Sequence, residues 1–294
     1  MTHVTSLAQD LRLICADNPS PMTGEGTNSY ILGRKQVCVI DPGPNDPTHL
    51  ARLLDAIGPD RVACILVTHS HKDHSPLAPL LGQATGAPVL AFGDSRAGQS
   101  EVMQALAAQG ISGGGEGVDP DFKPDLCLRD NEVVAFGDHR LIALWTPGHM
   151  GNHMCFQWGD VVFTGDHVMG WAPSLVSPPD GDMSAYMASL ARLTKINARV
   201  MYAGHGAAIE HPQSRVAELL AHRNARETAI LAELAPGPAT IPALTDRIYT
   251  DLAPTLHKAA ARNVFAHLVD LHTRGRVSAN QGLHPLAEFT LSQS

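Results

Sequence analysis

The feature that most constrains this chain is the stretch THSHKDH at residues 68–74, directly after the apolar run ACILV. The run is β-rich and unbroken by polar residues, the pattern of a strand covered on both faces. His69, His71, Asp73 and His74 therefore crowd the point where a buried strand ends. Loops at strand ends are where a rigid scaffold exposes functional side chains. Three imidazoles and a carboxylate converging without a cation would leave their donors and acceptors mutually unsatisfied. A divalent ion resolves this and lets the carboxylate stay ionised.

Three further polar loci follow β-like runs: TPGH with His149, TGD with Asp166, and AGHG with His205. Histidine and aspartate suit zinc or a similar first-row metal, and neutral imidazole is the commonest such ligand. His69, His71, Asp73, His74, His149, Asp166 and His205 make seven candidate ligands, more than one tetrahedral ion needs. Two ions are the natural expectation, zinc foremost, with manganese or iron as alternatives.

The rest of the chain supplies layers for these loops. Residues 28–41 read as two short strands with a turn near Gly33, 47–57 as a helix, 61–69 as a strand, 75–86 as a short helix and 87–93 as a strand. Strand, helix, strand in that order implies helices packed on sheets. Residues 99–123, with SGGGEG, read as a loop or insertion without a clear period. From Leu126 short strands separated by Gly and Asp turns predict a second sheet, followed by a helix over 182–195 and a last strand ending at His205. Beyond it come a long helix over 213–235, a linker APGPAT, helices over 241–252 and 256–274, and a turn into a strand at GRVSA. The expected division is a catalytic domain over 1–210 and a helical C-terminal domain over 211–294.

HxHxDH followed in order by TPGH, TGD and AGHG resembles the metallo-beta-lactamase superfamily over roughly residues 25–210. The resemblance implies an αββα sandwich with the metal site at one edge, between the sheets. It implies that His69, His71 and His149 hold one ion, that Asp73, His74 and His205 hold the other, and that Asp166 bridges them. A water shared by two divalent ions becomes a nucleophile near neutral pH, so the expected enzyme is a dinuclear hydrolase using a metal-bridging hydroxide. Asp73 would orient that hydroxide, and His153 and His167 stand, by proximity in sequence alone, as candidate proton donors to the leaving group. Asp41, in VIDPG, resembles an aspartate that supports a ligand loop. His222 and the other scattered histidines read as ordinary surface or packing residues.

The C-terminal segments HRNARE and LHKAAARNVFAHLVDLHTRGRV resemble the tail of the beta-lactamase-like protein 2 family. This implies a small, mostly helical, winged-helix-like domain and endonucleolytic cleavage of single-stranded RNA. Composition gives little help: the chain is −8 overall, while residues 211–276 hold eight Lys and Arg against six Asp and Glu, a segment charge of +2. Nucleic-acid binding by counterion release wants several clustered cations. The tail can equally wall the active site or serve dimerisation, which leaves room for a homo-oligomer. The competing enzyme class is a glyoxalase-II-like thioesterase or another small-molecule ester or lactone hydrolase. A non-catalytic metal-containing binding module is the remaining alternative. Five scattered cysteines without a CxxC pair fit reduced thiols. With no apolar stretch of membrane-spanning length and no visible signal peptide, the expectation is a cytoplasmic protein without membrane contact.

Overall fold

The computed structural model describes residues 4–114 and 117–292. Gly115 and Glu116, within the SGGGEG stretch, lie outside the described residues. Seven strands form the first sheet in sequence order: β1 (Val4–Ala8), β2 (Leu11–Cys15), β3 (Asn28–Arg34), β4 (Gln36–Ile40), β5 (Arg61–Leu66), β6 (Val89–Ala91) and β7 (Leu126–Cys127). Pairing is antiparallel from β1 to β4 and parallel from β4 to β7. The second sheet holds β8 (Val133–Phe136), β9 (His139–Trp145), β10 (Met154–Trp158), β11 (Val161–Gly165) and β12 (Val200–Ala203), in the order β12-β11-β10-β9-β8.

Side-chain alternation explains why these sheets stack. Tyr30, Leu32, Cys38, Ile40 and Leu66 point inward and meet Phe136, Ala143, Phe156 and Phe163 of the second sheet. Their neighbours Ile31, Val37, Val39 and Ile65 point the other way, onto α1 (Pro47–Ile57) and α2 (Ala78–Thr85). The outer face of the second sheet packs Leu144, Cys155 and Val162 against α4 (Met183–Leu193) and the start of α5 (Pro212–Leu234). The architecture is thus αββα, and each large apolar side chain withdrawn from water contributes about 1.5–3 kcal/mol. Asp46 caps α1 through Thr48 N at 2.8 Å, and Asp182 caps α4 through Ala185 N at 3.2 Å.

The expected elements appear with adjustments. The β3–β4 turn falls after Gly33: Gly33 pairs with Val37 inside the ladder, and Lys35 turns the chain at φ 61°. The span read as a loop contains α3 (Glu101–Ala108), capped by Ser100 and anchored by Met103 and Leu106. Two helical turns with only two buried residues present too short a period to read from sequence. The linker APGPAT ends in β13 (Ala239–Thr240), and Thr240 caps α6 (Ile241–Ile248). A 3-10 turn, Pro254–Leu256, leads into α7 (His257–Thr273), and β14 (Val277–Ala279) and β15 (Glu288–Leu291) complete a small sheet ordered β13-β15-β14. Helix α5 serves two cores. Val216 and Leu219 belong to the packing around α4, while Ile230 and Leu234 pack with Leu244, Phe265 and Phe289 of the C-terminal module. Among the described residues no helix is long and apolar enough to cross a membrane.

Candidate metal centre

The two sheets are stitched together at one edge, where β5, β9, β11 and β12 all end. Met154 N donates to Thr68 O at 2.8 Å and Asn28 N to Gly204 O at 2.7 Å, both between the sheets, while Gly204 N to Gly165 O at 2.8 Å extends the β11–β12 ladder. The four loops carrying the sequence-derived ligands leave from this edge, and their seven side chains, all buried, converge. His69 Nε2 and His149 Nε2 each lie 3.0 Å from His71 Nδ1. His74 Nε2 lies 3.4 Å from Asp73 Oδ2, and His205 Nε2 lies 3.2 Å from the same oxygen. Asp166 stands between the two groups: Oδ1 is 3.5 Å from His74 Nε2 and 3.3 Å from His205 Nε2, while Oδ2 is 3.7 Å from His149 Nε2.

The outward ring nitrogens are held by fixed partners. Leu175 O lies 2.7 Å from His149 Nδ1, Gly26 O 3.0 Å from His205 Nδ1, and Thr68 Oγ1 3.0 Å from His69 Nδ1. Asp41, at φ 51°, accepts from Thr68 N and Thr68 Oγ1, both at 2.7 Å, and from His74 Nδ1 at 3.0 Å. Donating outward to a carbonyl or carboxylate leaves an imidazole's inner nitrogen as a lone pair. Lone pairs and carboxylate oxygens therefore face one another across the centre. His74 Nε2 and Asp166 Oδ1 are buried without a hydrogen-bond partner among the described residues. Such an acceptor-rich cluster fits divalent cations, and the triads His69–His71–His149 and Asp73–His74–His205 each could hold one.

The electrostatics divide the same way. Burial pushes His69 well down and His71 down to about 3, so the histidine-only triad is neutral. Burial also works against charge on His74 and His205, but the surrounding carboxylates overcome it. Asp73 and Asp166 raise His74 well above the usual imidazole range, and Asp166 and Asp73 lift His205 to about 10. Proton and metal compete for these nitrogens.

The centre opens into a cavity of about 320 Å³ reached by His71, Asp73, His149, Asp166 and His205. It is lined further by Met22, Met169, Trp171 and Leu175 and by residues of α5, α7 and the segment that joins α6 to α7, among them His222, Arg223, Arg226, Tyr249 and Leu256.

The sequence matches the model of the metallo-beta-lactamase superfamily over residues 22–205. The chain belongs to that superfamily. It is a metal-dependent hydrolase whose His/Asp cluster is compatible with a dinuclear centre. Residues 240–284 match the beta-lactamase associated winged helix domain, so the C-terminal module is of that type. This superfamily member is 28% identical over 290 residues to the beta-lactamase-like protein 2 homolog of Drosophila melanogaster, covering 95% of this chain and 93% of that protein. It is 30% identical over 242 residues to the atrochrysone carboxyl ACP thioesterase of Aspergillus fumigatus, covering 80% of this chain and 68% of the fungal one. A metallo-beta-lactamase family protein from Thermus thermophilus superposes with a TM-score of 0.77 at 27% identity, over 97% of this chain and 100% of that one.

His153 is fully buried behind the ligands, its Nδ1 3.0 Å from Thr146 Oγ1 and its ring 5.1 Å from that of His69. It is not among the residues that line the cavity. His222, read from sequence as an ordinary histidine, is a wall residue instead. Asn28 pins the loop that carries His205, donating to Ala203 O at 3.1 Å and Gly206 O at 2.9 Å. The sequence offers the tail as a wall of the active site but not which of its residues line it, although HRNARE carries two of the lining arginines.

Proposed function

We propose that the protein hydrolyses a small ester or thioester with an apolar body, using two divalent ions held in the order the sequence suggested. His69, His71 and His149 would hold one and Asp73, His74 and His205 the other, with Asp166 available to both. Zinc is the metal best suited to five imidazoles and two carboxylates. Bound there, the pair supplies an acidified water and a Lewis acid for the acyl oxygen. The chain's own residues do the rest. Asp73 accepts a hydrogen bond from the attacking water and orients it, Asp41 and Thr68 fix His74 and His69, and the apolar wall excludes bulk water from the acyl group. His153 acts from behind, packing against His69 and positioning it.

The cavity carries this proposal. About 320 Å³ with mostly apolar lining suits a small molecule. A thiolate, with an ordinary pKa near 8.5, leaves without a dedicated acid, in keeping with a lining that places no neutral acid beside the ligands among the described residues. A fungal relative is itself named an ACP thioesterase.

The endoribonuclease alternative draws less support from the tail. Arg215, Arg247 and Arg274 pair with Glu218, Glu233 and Glu227. Arg262 donates to Ser112 O. Helix α7 is buried from Val264 to Leu271, leaving little of it to present to a nucleic-acid backbone. The division into domains 1–210 and 211–294 belongs to this proposal too, with α5 as the shared strut. So does a cytoplasmic location, in keeping with five free cysteines.

The test is a panel on metal-loaded protein: an acyl thioester, a lactone and a labelled single-stranded RNA. Hydrolysis of the thioester or lactone with intact RNA is the expected result. Cleavage of the RNA alone would overturn it.

A further inference from the structure

The motif HRNARE lies on α5 and turns three cationic or ionisable side chains toward the centre: His222, Arg223 and Arg226 line the same cavity as Asp73 and Asp166. Arg223 is only 1% exposed. Its guanidinium donates to Asn263 Oδ1 at 3.1 Å and to Ser174 O, and sits 5.2 Å from the Tyr186 ring centroid. Arg226 lies 4.7 Å from the Tyr249 ring centroid. The Nε atoms of both arginines are buried without a hydrogen-bond partner among the described residues. Among the described residues neither guanidinium has a carboxylate within ion-pairing distance, unlike Arg215, Arg247 and Arg274 on the same module.

A buried charge facing only neutral acceptors is costly to keep. The carboxylates of the centre do not serve as its counter-ions, because Asp73 and Asp166 are engaged by His74 and His205. The local field is positive enough that burial, Arg223 and Arg226 together push His222 down to about 4. A guanidinium fork matches carboxylate and phosphate geometry in two parallel hydrogen bonds. Tyr249 orients that fork on Arg226, and Arg223 reinforces the charge from behind.

Building on the ester or thioester function proposed above, we propose that Arg226, backed by Arg223, is an anion subsite selecting substrates with a carboxylate or phosphate remote from the scissile bond. The substrate then spans the cavity, its anion on α5 and its carbonyl at the metal centre. Two sources supply that anion: the far end of the acyl chain, or the leaving thiol.

The test uses metal-loaded wild type, Arg226→Gln and Arg226→Lys, with one readout independent of turnover. Calorimetric titration compares hexanedioate with hexanoate. The wild type binds the dianion about tenfold or more tightly, Arg226→Gln abolishes the difference, and Arg226→Lys restores part of it. Hydrolysis is then followed for hexanedioyl and hexanoyl thioesters of an uncharged thiol and for a hexanoyl thioester of phosphopantetheine. A drop in kcat/KM confined to the hexanedioyl ester puts the subsite at the acyl end, and one confined to the phosphopantetheine ester puts it at the leaving group. Equal binding of the two acids by wild type, or a preference untouched by Arg226→Gln, overturns the subsite. If no thioester is hydrolysed while the Arg226-dependent preference for hexanedioate persists, the subsite stands and the thioesterase function falls.

Discussion

Asp41 shows how much of this centre depends on residues that bear no ligand atom. One carboxylate accepts from a backbone amide, a hydroxyl and a ligand imidazole, and so fixes the loop and the tautomer of His74 together. Asp41→Asn can no longer accept all three, and metal affinity should fall about 10- to 100-fold, measured by competition with a chelating dye. Unchanged affinity would remove Asp41 from the supporting role. On α7, His267 is buried with neither ring nitrogen hydrogen-bonded among the described residues. Burial, with Arg223 and His222 adding to it, pushes this imidazole down to about 3. Below its ordinary pKa of about 6.5 the unfolded chain takes up a proton that the folded chain refuses, so stability is complete above that pH and declines as pH falls toward 3. His267→Leu should therefore lose less stability on acidification, by about 1.4 kcal/mol per pH unit between about pH 6 and 4. Urea unfolding at a series of pH values measures this, and parallel profiles would contradict it.

At the scale of elements, the ligand loops are held by close contact with the layers beneath them. Gly148, immediately before His149, has φ 144° and sits so near α4 that a Cβ would lie 2.3 Å from Tyr186 Cα. Gly148→Ala must move either α4 or the His149 loop, and should destabilise the fold by roughly 3 kcal/mol or more, read from the urea midpoint. A neutral substitution would mean that this contact is looser than described. The ligand loops were legible in sequence because each is a short local pattern at the end of an apolar strand. Helix α1 was legible too: Pro47 opens it, Asp46 caps it and Gly58 follows it. Helix α3 was not, since Met103 and Leu106 find their apolar partners in the C-terminal module, distant in the chain. The same non-locality hid which residues of the tail form the cavity wall. Nothing near His222, Arg226 or Tyr249 in sequence says that these side chains, among all those of the tail, will face a cluster whose first candidate ligand is as far back as His69.

Across the whole molecule α5 is the element that decides behaviour. Its first half is part of the hydrolase core and its second half part of the winged-helix core. Loss of either core removes one half of the helix's support, so thermal unfolding should be one transition by circular dichroism and tryptophan fluorescence alike. Two separated transitions would show that the modules melt independently. The same arrangement makes the cavity a joint product: ligands from the sandwich on one side, apolar and arginine-bearing helices on the other. The proposed function requires a centre that holds two ions, and Asp166 is the carboxylate placed to face both groups of candidate ligands. The most direct test is the metal content of the purified, metal-saturated chain by elemental analysis, beside that of Asp166→Ala. Two equivalents in the wild type and a clear loss in the variant are expected. One equivalent in both would contradict the dinuclear centre.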